Sequence, residues 1–144
     1  MPYAYVDGSY NIATKQFGYG VVFFTGVTDE SGEPEYFTLS KAFSEPELAE
    51  MRNVAGEIMG SAQAMKSARA RGFKELTIYH DYEGIAKWCT GEWKAKKTWT
   101  KKYKAFYEEI SKDLSVTFKK VEAHSGNKFN DMADKLAKEA VGNK

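Results

Sequence analysis

The chain changes mode at Ser44. Ahead of it lie three runs rich in β-branched and aromatic residues, "YAYVDGSY", "FGYGVVFFTGV" and "EYFTLSKAF", the last two divided by the turn-like "TDESGEP". Behind it, helical and strand patterns alternate. Consecutive strands joined by short breaks predict an antiparallel meander, while strands that each follow a helix predict crossover connections. The two halves together predict an α/β chain with a five-stranded mixed sheet flanked by helices.

In the first run Tyr3, Tyr5 and Asp7 alternate with Ala4 and Val6, as a strand with two distinct faces requires. After Ser44, "SEPELAEMRNVAGEIMGSAQAMKSARARG" reads as one long helix. Ser44 and Glu47 stand in capping-box register, Pro46 falls in the first turn and Gly72 ends it. Met51, Val54, Ala55, Ile58, Met59, Ala62 and Met65 make its apolar stripe. "KELTIYHD" is the fourth strand, with Leu76, Ile78 and His80 on one face. A short helix near "YEGIAKWC" and a second over "TKKYKAFYEEISKD" precede the fifth strand, "SVTFKKVEA". "FNDMADKLAKEAV" closes the chain as a helix.

At 144 residues and 42% hydrophobic content the chain has enough apolar material for one globular domain over residues 1–144. No run is long enough to span a bilayer, and the N-terminus lacks a basic stretch followed by an apolar one. The expectation is a soluble cytoplasmic protein with no membrane partner. The single cysteine, Cys89, excludes an internal disulfide and a cysteine-based zinc cluster, and reads as a packing residue. Net charge is +1, yet "GEWKAKKTWTKKYKAFYEE" gathers six lysines from Lys94 to Lys104 around Trp93, Trp99 and Tyr103. Such a segment either tracks a phosphate backbone or is a solvated helix flank.

Of the 20 acidic residues, four are not explained by solvation. Asp7 and Asp81 fall at the ends of the first and fourth strands, where a carboxylate borders a cleft or starts a turn. Glu57 lies in the long helix, off the centre of its stripe, with Asn53 one turn earlier. Gly56, Gly60 and Ala64 make a column of small residues beside it, which implies close approach of another backbone or a ligand. Asp134 borders the apolar face of the last helix. Asn130 or Asp131 can serve that helix's start, but Asp134 lies too deep to be a cap. Together the four make an all-oxygen set, which suits Mg²⁺ or Mn²⁺ and disfavours zinc. Like charges so arranged repel unless cations neutralise them, and their natural use is two-metal phosphoryl transfer.

The ordered motifs "VDGS" at Val6–Ser9, "GYG" at Gly18–Gly20, "NVAGE" at Asn53–Glu57, "YHD" at Tyr79–Asp81 and "AHSGNKFNDMADKLA" at Ala123–Ala137 resemble a type 1 ribonuclease H. The likeness is to the compact bacterial branch, taken as the catalytic domain without its hybrid-binding module. It implies a ribonuclease H-like fold and an endonuclease that cuts the RNA strand of RNA–DNA hybrids, leaving 5′-phosphate and 3′-hydroxyl ends. It implies two Mg²⁺ ions, with Mn²⁺ as a substitute, held by Asp7, Glu57, Asp81 and Asp134. His124 matches a mobile-loop histidine that assists proton handling or product release. Asn53 matches a reader of RNA 2′-hydroxyls, Asn130 a loop-to-helix asparagine, and Gly8 and Ser9 belong to the substrate-facing motif. Thr98 is placed against a DNA phosphate. The alternatives are a non-catalytic hybrid-binding module and another nuclease or strand-transfer enzyme of the same fold. Tyr82 and Glu83 depart from the serine often found after the third carboxylate. The segment after Trp88 is shorter than a full basic protrusion, so hybrid affinity is expected to be weak and steeply salt-dependent. A monomer is expected.

Overall fold

The computed structural model describes residues 1–49, 51–122 and 127–143. Its elements run β1 (Tyr3–Asn11), β2 (Gln16–Thr28), β3 (Pro34–Phe43), α1 (Pro46–Ala49), α2 (Asn53–Ala70), β4 (Glu75–His80), α3 (Gly84–Thr90), α4 (Thr98–Ile110), β5 (Ser115–Lys120) and α5 (Lys128–Ala140). The strands form one sheet in the order β3-β2-β1-β4-β5. β1 pairs antiparallel with β2, as β2 does with β3, while β1–β4 and β4–β5 are parallel. The meander and the crossovers fall where the pattern change at Ser44 placed them.

Helix α2 packs on β1, β2 and β4 together with α3 and α4, and α5 covers β1 and β2 on the opposite face. The alternation in β1 therefore sorts its residues between two cores. Ala4 and Val6 join Ile58, Ala64, Met65, Leu76 and Ile78, whereas Tyr5 joins Val22, Phe24 and Ala133. Nearly the whole strand is buried as a result.

The long helix expected from Ser44 to Gly72 is two helices. Arg52 breaks it at φ 53° and ψ −130°, a conformation no helical residue adopts. Two further departures concern particular residues. β1 extends to Asn11, so Asp7 lies inside the strand and not at its end. The cap of α5 is Asn127, whose Oδ1 accepts from the N–H groups of Phe129 and Asn130; neither Asn130 nor Asp131 fills that position.

Close approach of backbones explains the glycines at the centre. A Cβ on Gly8 would collide with the Asn53 carbonyl and lie 2.5 Å from the Glu57 nitrogen. One on Gly20 would collide with the Ala133 carbonyl and sit 2.7 Å from the Ala137 nitrogen. Helix α2 thus rests directly on β1, and α5 directly on β2. The small column of α2 serves the same end, since a Cβ on Gly56 would meet the Gly18 carbonyl. Backbone at Gly56, and the Tyr19 and Val21 side chains at Gly60, occupy that groove. Cys89 is buried, and burial pushes its thiol up to about 12, in keeping with a packing role. Among the described residues no helix is long and apolar enough to cross a membrane.

Candidate active site

The parallel ladder between β1 and β4 ends at the pair Tyr5–Tyr79, whose rings stack at 4.8 Å. Asp7 and Asp81 each stand two residues further along their own chains. β1 continues there, held only by β2 through the Asp7–Gly20 pair, while β4 stops at His80. Asp7 is therefore inside one strand and yet at the open end of the β1–β4 ladder. The two carboxylates face each other where a sheet of this topology forms a crevice.

Glu57 reaches the same place from α2. The sequence placed it on the flank of the apolar stripe, but it is only 1% exposed, because α2 lies on Gly8 with no side chain between them. Its Oε1 accepts from the backbone N–H of Asp81 at 3.1 Å and from that of Tyr82 at 3.4 Å. Asp7 Oδ1 accepts from the Gly8 N–H at 2.8 Å. Carboxylate oxygens of Asp7, Glu57 and Asp81 all lie within 4.8 Å of one another.

The electrostatic cost of this cluster is visible in its acidities. Burial and the neighbouring Asp81 carboxylate push Asp7 up to about 8, with Asp134 adding to the effect and the Gly8 N–H opposing it. Burial, then the charges of Asp81 and Asp7, also raise Glu57 well above the carboxylate range. An all-oxygen cluster that resists ionisation by itself fits a hard divalent cation, whose charge removes the repulsion.

Asp134 approaches from α5, on the side of Asp7. Its Oδ2 lies 2.9 Å from Lys138 Nζ, one turn further on, and that bond raises the lysine's pKa. Asp134, Lys138, Gly8, Ser9, Tyr10, Ile12, Arg52 and Asn53 line a groove of about 350 Å³ beside the acids. Asn53 is exposed there, at the start of α2. The Ser9 hydroxyl is turned to the C-terminal segment and accepts from Asn143 Nδ2 at 3.2 Å. Asn130 is buried in the first turn of α5, with no hydrogen-bond partner for its Oδ1 among the described residues. His124 lies outside the described residues.

Thr98 is exposed at the start of α4 and lines a cavity of about 450 Å³ with Glu47, Met51, Lys96, Lys97 and Trp99. A neighbouring cavity of about 350 Å³ shares Met51, Lys96 and Lys97 and adds Tyr82, Trp88 and Lys94. Lys94, Lys96, Lys97 and Trp99 of the basic segment thus border concave surface. Thr98 belongs to this trough and not to the carboxylate cluster. Tyr82, where a serine was expected, packs its ring 5.8 Å from that of Trp88 and 5.9 Å from that of Trp93.

Two cationic groove residues escaped the sequence reading. Lys138 was detectable, since it stands four residues after Asp134 on a helix. Arg52 carried no signal, because it is neither glycine nor proline.

The fold and the acidic crevice define a nuclease of the ribonuclease H type. The chain belongs to the RNase H family, whose model matches residues 2–142. Membership brings ribonuclease H activity, nuclease action on RNA–DNA hybrids, and dependence on a divalent metal that the acidic cluster can hold. Among solved structures, the chain resembles the N-terminal RNase H domain of a Mycobacterium tuberculosis protein, solved as a fusion with maltose binding protein. The TM-score is 0.78 at 19% identity, over 98% of this chain and 93% of that one. RNase H1 from the halophilic archaeon Halobacterium salinarum gives 0.76 at 19% identity, over 98% and 97%. LC11-RNase H1 in complex with an RNA/DNA hybrid gives 0.76 at 22% identity, over 99% and 97%. These likenesses establish the ribonuclease H-like fold. No curated protein matches the chain in sequence.

Proposed function

We propose that residues 1–144 act as one type 1 ribonuclease H catalytic domain, an endonuclease that hydrolyses the RNA strand of RNA–DNA hybrids. The observation that carries this reading is the buried convergence of Asp7, Glu57 and Asp81, with carboxylate oxygens within 4.8 Å and Asp134 beside them. Four carboxylates give enough oxygen donors for two divalent cations, Mg²⁺ by hardness and Mn²⁺ as a substitute. In this reading Asp7 would help to hold both cations, Asp134 the one that activates water, and Glu57 and Asp81 the other. Bound there, the cations would lower the pKa of water and offset charge on the phosphate.

The chain's own groups supply the remainder. Glu57 is fixed by two backbone N–H groups, so its carboxylate stays aimed at the crevice. Asn53 faces the sugar edge of the RNA strand, where its amide distinguishes a 2′-hydroxyl from hydrogen. Gly8 and Ser9 line the groove that takes the RNA strand, Asn130 contacts substrate from the first turn of α5, and Thr98 receives a DNA phosphate in the lysine-lined trough. His124 assists proton handling or product release, as the resemblance implies. Water attacks the RNA phosphorus and the 3′ oxygen departs, leaving 5′-phosphate and 3′-hydroxyl ends. The domain acts as a monomer in the cytoplasm.

The test is cleavage of a strand-labelled RNA–DNA hybrid with Mg²⁺, with Mn²⁺ and with chelator, beside single-stranded RNA and duplex DNA. Metal-dependent cutting confined to the hybrid's RNA strand, with a 5′-phosphate on the new end, is the expected result. Binding without cutting under both metals would replace the nuclease reading with that of a hybrid-binding module.

A further inference from the structure

Asp81 lies between elements. β4 ends at His80 and α3 begins at Gly84, so this carboxylate is placed only as firmly as the connection around it is tied down. From the crevice side, the Asp81 and Tyr82 N–H groups donate to Glu57 Oε1. Within the connection, His80 Nδ1 donates to the Tyr82 carbonyl at 2.9 Å. The helix that follows lends little support of its own. It has seven residues and, among the described residues, no side-chain cap at its start. A helix so short does not hold itself together.

Its outside anchor is Tyr103. This residue of α4 is 3% exposed, and its hydroxyl donates to the Ile85 carbonyl, in the first turn of α3, at 2.7 Å. α4 packs on both α2 and α3, so the hydroxyl stands where the backs of the two acid-bearing segments meet. Burial, and then the Cys89 thiol, keep it protonated and hence a donor. Two groups of α2 also act on it, the Glu57 carboxylate and the hydroxyl of Ser61, which is fully buried one turn after Glu57. A phenylalanine ring would fill the same space among Ile58, Met65, Ile85, Ile110 and Leu114. What the hydroxyl adds is a fixed position, since burying it costs about what its bond returns.

We infer that Tyr103 is a positioning residue of the metal site: its hydroxyl, through the Ile85 carbonyl, fixes the Asp81 connection against Glu57 and so sets how tightly those two carboxylates hold a cation. Groups that orient metal ligands from behind tune affinity by about 10–100-fold. The inference rests on the cation-dependent reading above and gives work to a residue that reading leaves idle.

The experiment compares wild type with Tyr103→Phe and, as a control for lost packing in the same helix and core, Ile110→Val. The measurements are Mn²⁺ binding to hybrid-free protein by electron paramagnetic resonance, amide hydrogen exchange, melting temperature with chelator, and the Mg²⁺ dependence of cleavage. Tyr103→Phe should weaken Mn²⁺ binding about tenfold and raise the Mg²⁺ concentration for half-maximal cleavage by about the same factor. Saturating Mg²⁺ should restore kcat to within about threefold of wild type, with KM for hybrid within about twofold. Without metal, exchange at the Asp81 and Tyr82 N–H groups should quicken about tenfold, beyond any change at the β1 amides. Both variants should melt roughly 2–4 °C lower, but Ile110→Val should keep the Mn²⁺ affinity of wild type. Unchanged Mn²⁺ affinity and unchanged exchange at Asp81 and Tyr82 in Tyr103→Phe would overturn the inference, whatever the loss in melting temperature. So would an equal loss of Mn²⁺ affinity in Ile110→Val, which would make the effect one of general stability. A wild type that binds no Mn²⁺ would instead sink the underlying metal-site reading, before any variant is compared.

Discussion

The backbone N–H of Asp81 donates to the Glu57 carboxylate at 3.1 Å, tying the acid of α2 to the end of β4. One bond thus joins two elements that the sequence separates by a full helix and a strand. It also fixes a buried carboxylate beside two others, which is unfavourable without a cation to share them.

Glu57→Gln keeps the side-chain oxygen that Asp81 requires and removes the charge. Since burial and neighbouring acids hold the Glu57 carboxyl above its usual range, this variant should melt roughly 2–4 °C higher without metal. Cleavage should fall by about 10²–10³-fold. Calorimetry and the hybrid assay check the two halves, and a Gln variant that melts lower and cuts normally would show that the carboxylate has no part in the site.

The pH dependence of stability has a defined sign. Asp7 is raised to about 8 and Glu57 is raised as well, so across the window from the ordinary carboxylate range to about pH 8 the folded chain binds more protons than the unfolded one. Stability without metal therefore falls as pH rises through that window. Added Mg²⁺ should offset the loss, most strongly at its upper end. Thermal melts from pH 4 to 8.5 with chelator and with Mg²⁺ test this; parallel curves would argue against a cation at the cluster.

Gly20→Ala places a methyl group against the Ala133 carbonyl, the Ala137 nitrogen and Leu136 Cβ at 2.8 Å. Two of these are backbone, so α5 must lift from β2 and carry Asp134 with it. Destabilisation of about 1–3 kcal/mol is expected in urea unfolding, together with loss of activity beyond what unfolding explains.

Asn53→Ala should leave the fold unchanged, since the side chain is exposed at the first turn of α2. The expected loss is discrimination: the rate ratio between an RNA strand and a strand with one 2′-deoxy substitution at the contacted nucleotide should shrink. The size of the effect is about 10-fold, as for one hydrogen bond. An unchanged ratio would remove Asn53 from that role.

Most of the architecture is legible in the residues because strand and helix periodicities here seldom compete. Leu76, Ile78 and His80 alternate cleanly and are all buried on one face. What escaped is tertiary in origin. The break at Arg52 follows from a turn that its residue type does not advertise. Glu57 is buried not by its helical phase but by the absence of a side chain at Gly8. Asp7 stands at a ladder's end inside a continuous strand because β1 outruns β4, and pairing partners are not written in local pattern. The cap of α5 fell to Asn127 among several equally suitable residues in "GNKFND". Four acids were identifiable as out of place; only the fold could bring their oxygens together.

The central claim is that these carboxylates act as one cation-dependent hydrolytic site, and Asp7→Asn tests it most directly. Asn preserves shape at the position where the crevice acids converge but withdraws the charge. Cleavage of labelled hybrid in Mg²⁺ should fall by about 10³-fold or more, while hybrid affinity, measured by fluorescence anisotropy, stays within about threefold. Near-normal cleavage by the Asn variant would contradict the account, because a charge that helps to hold the cations cannot be withdrawn without slowing the chemistry they would supply.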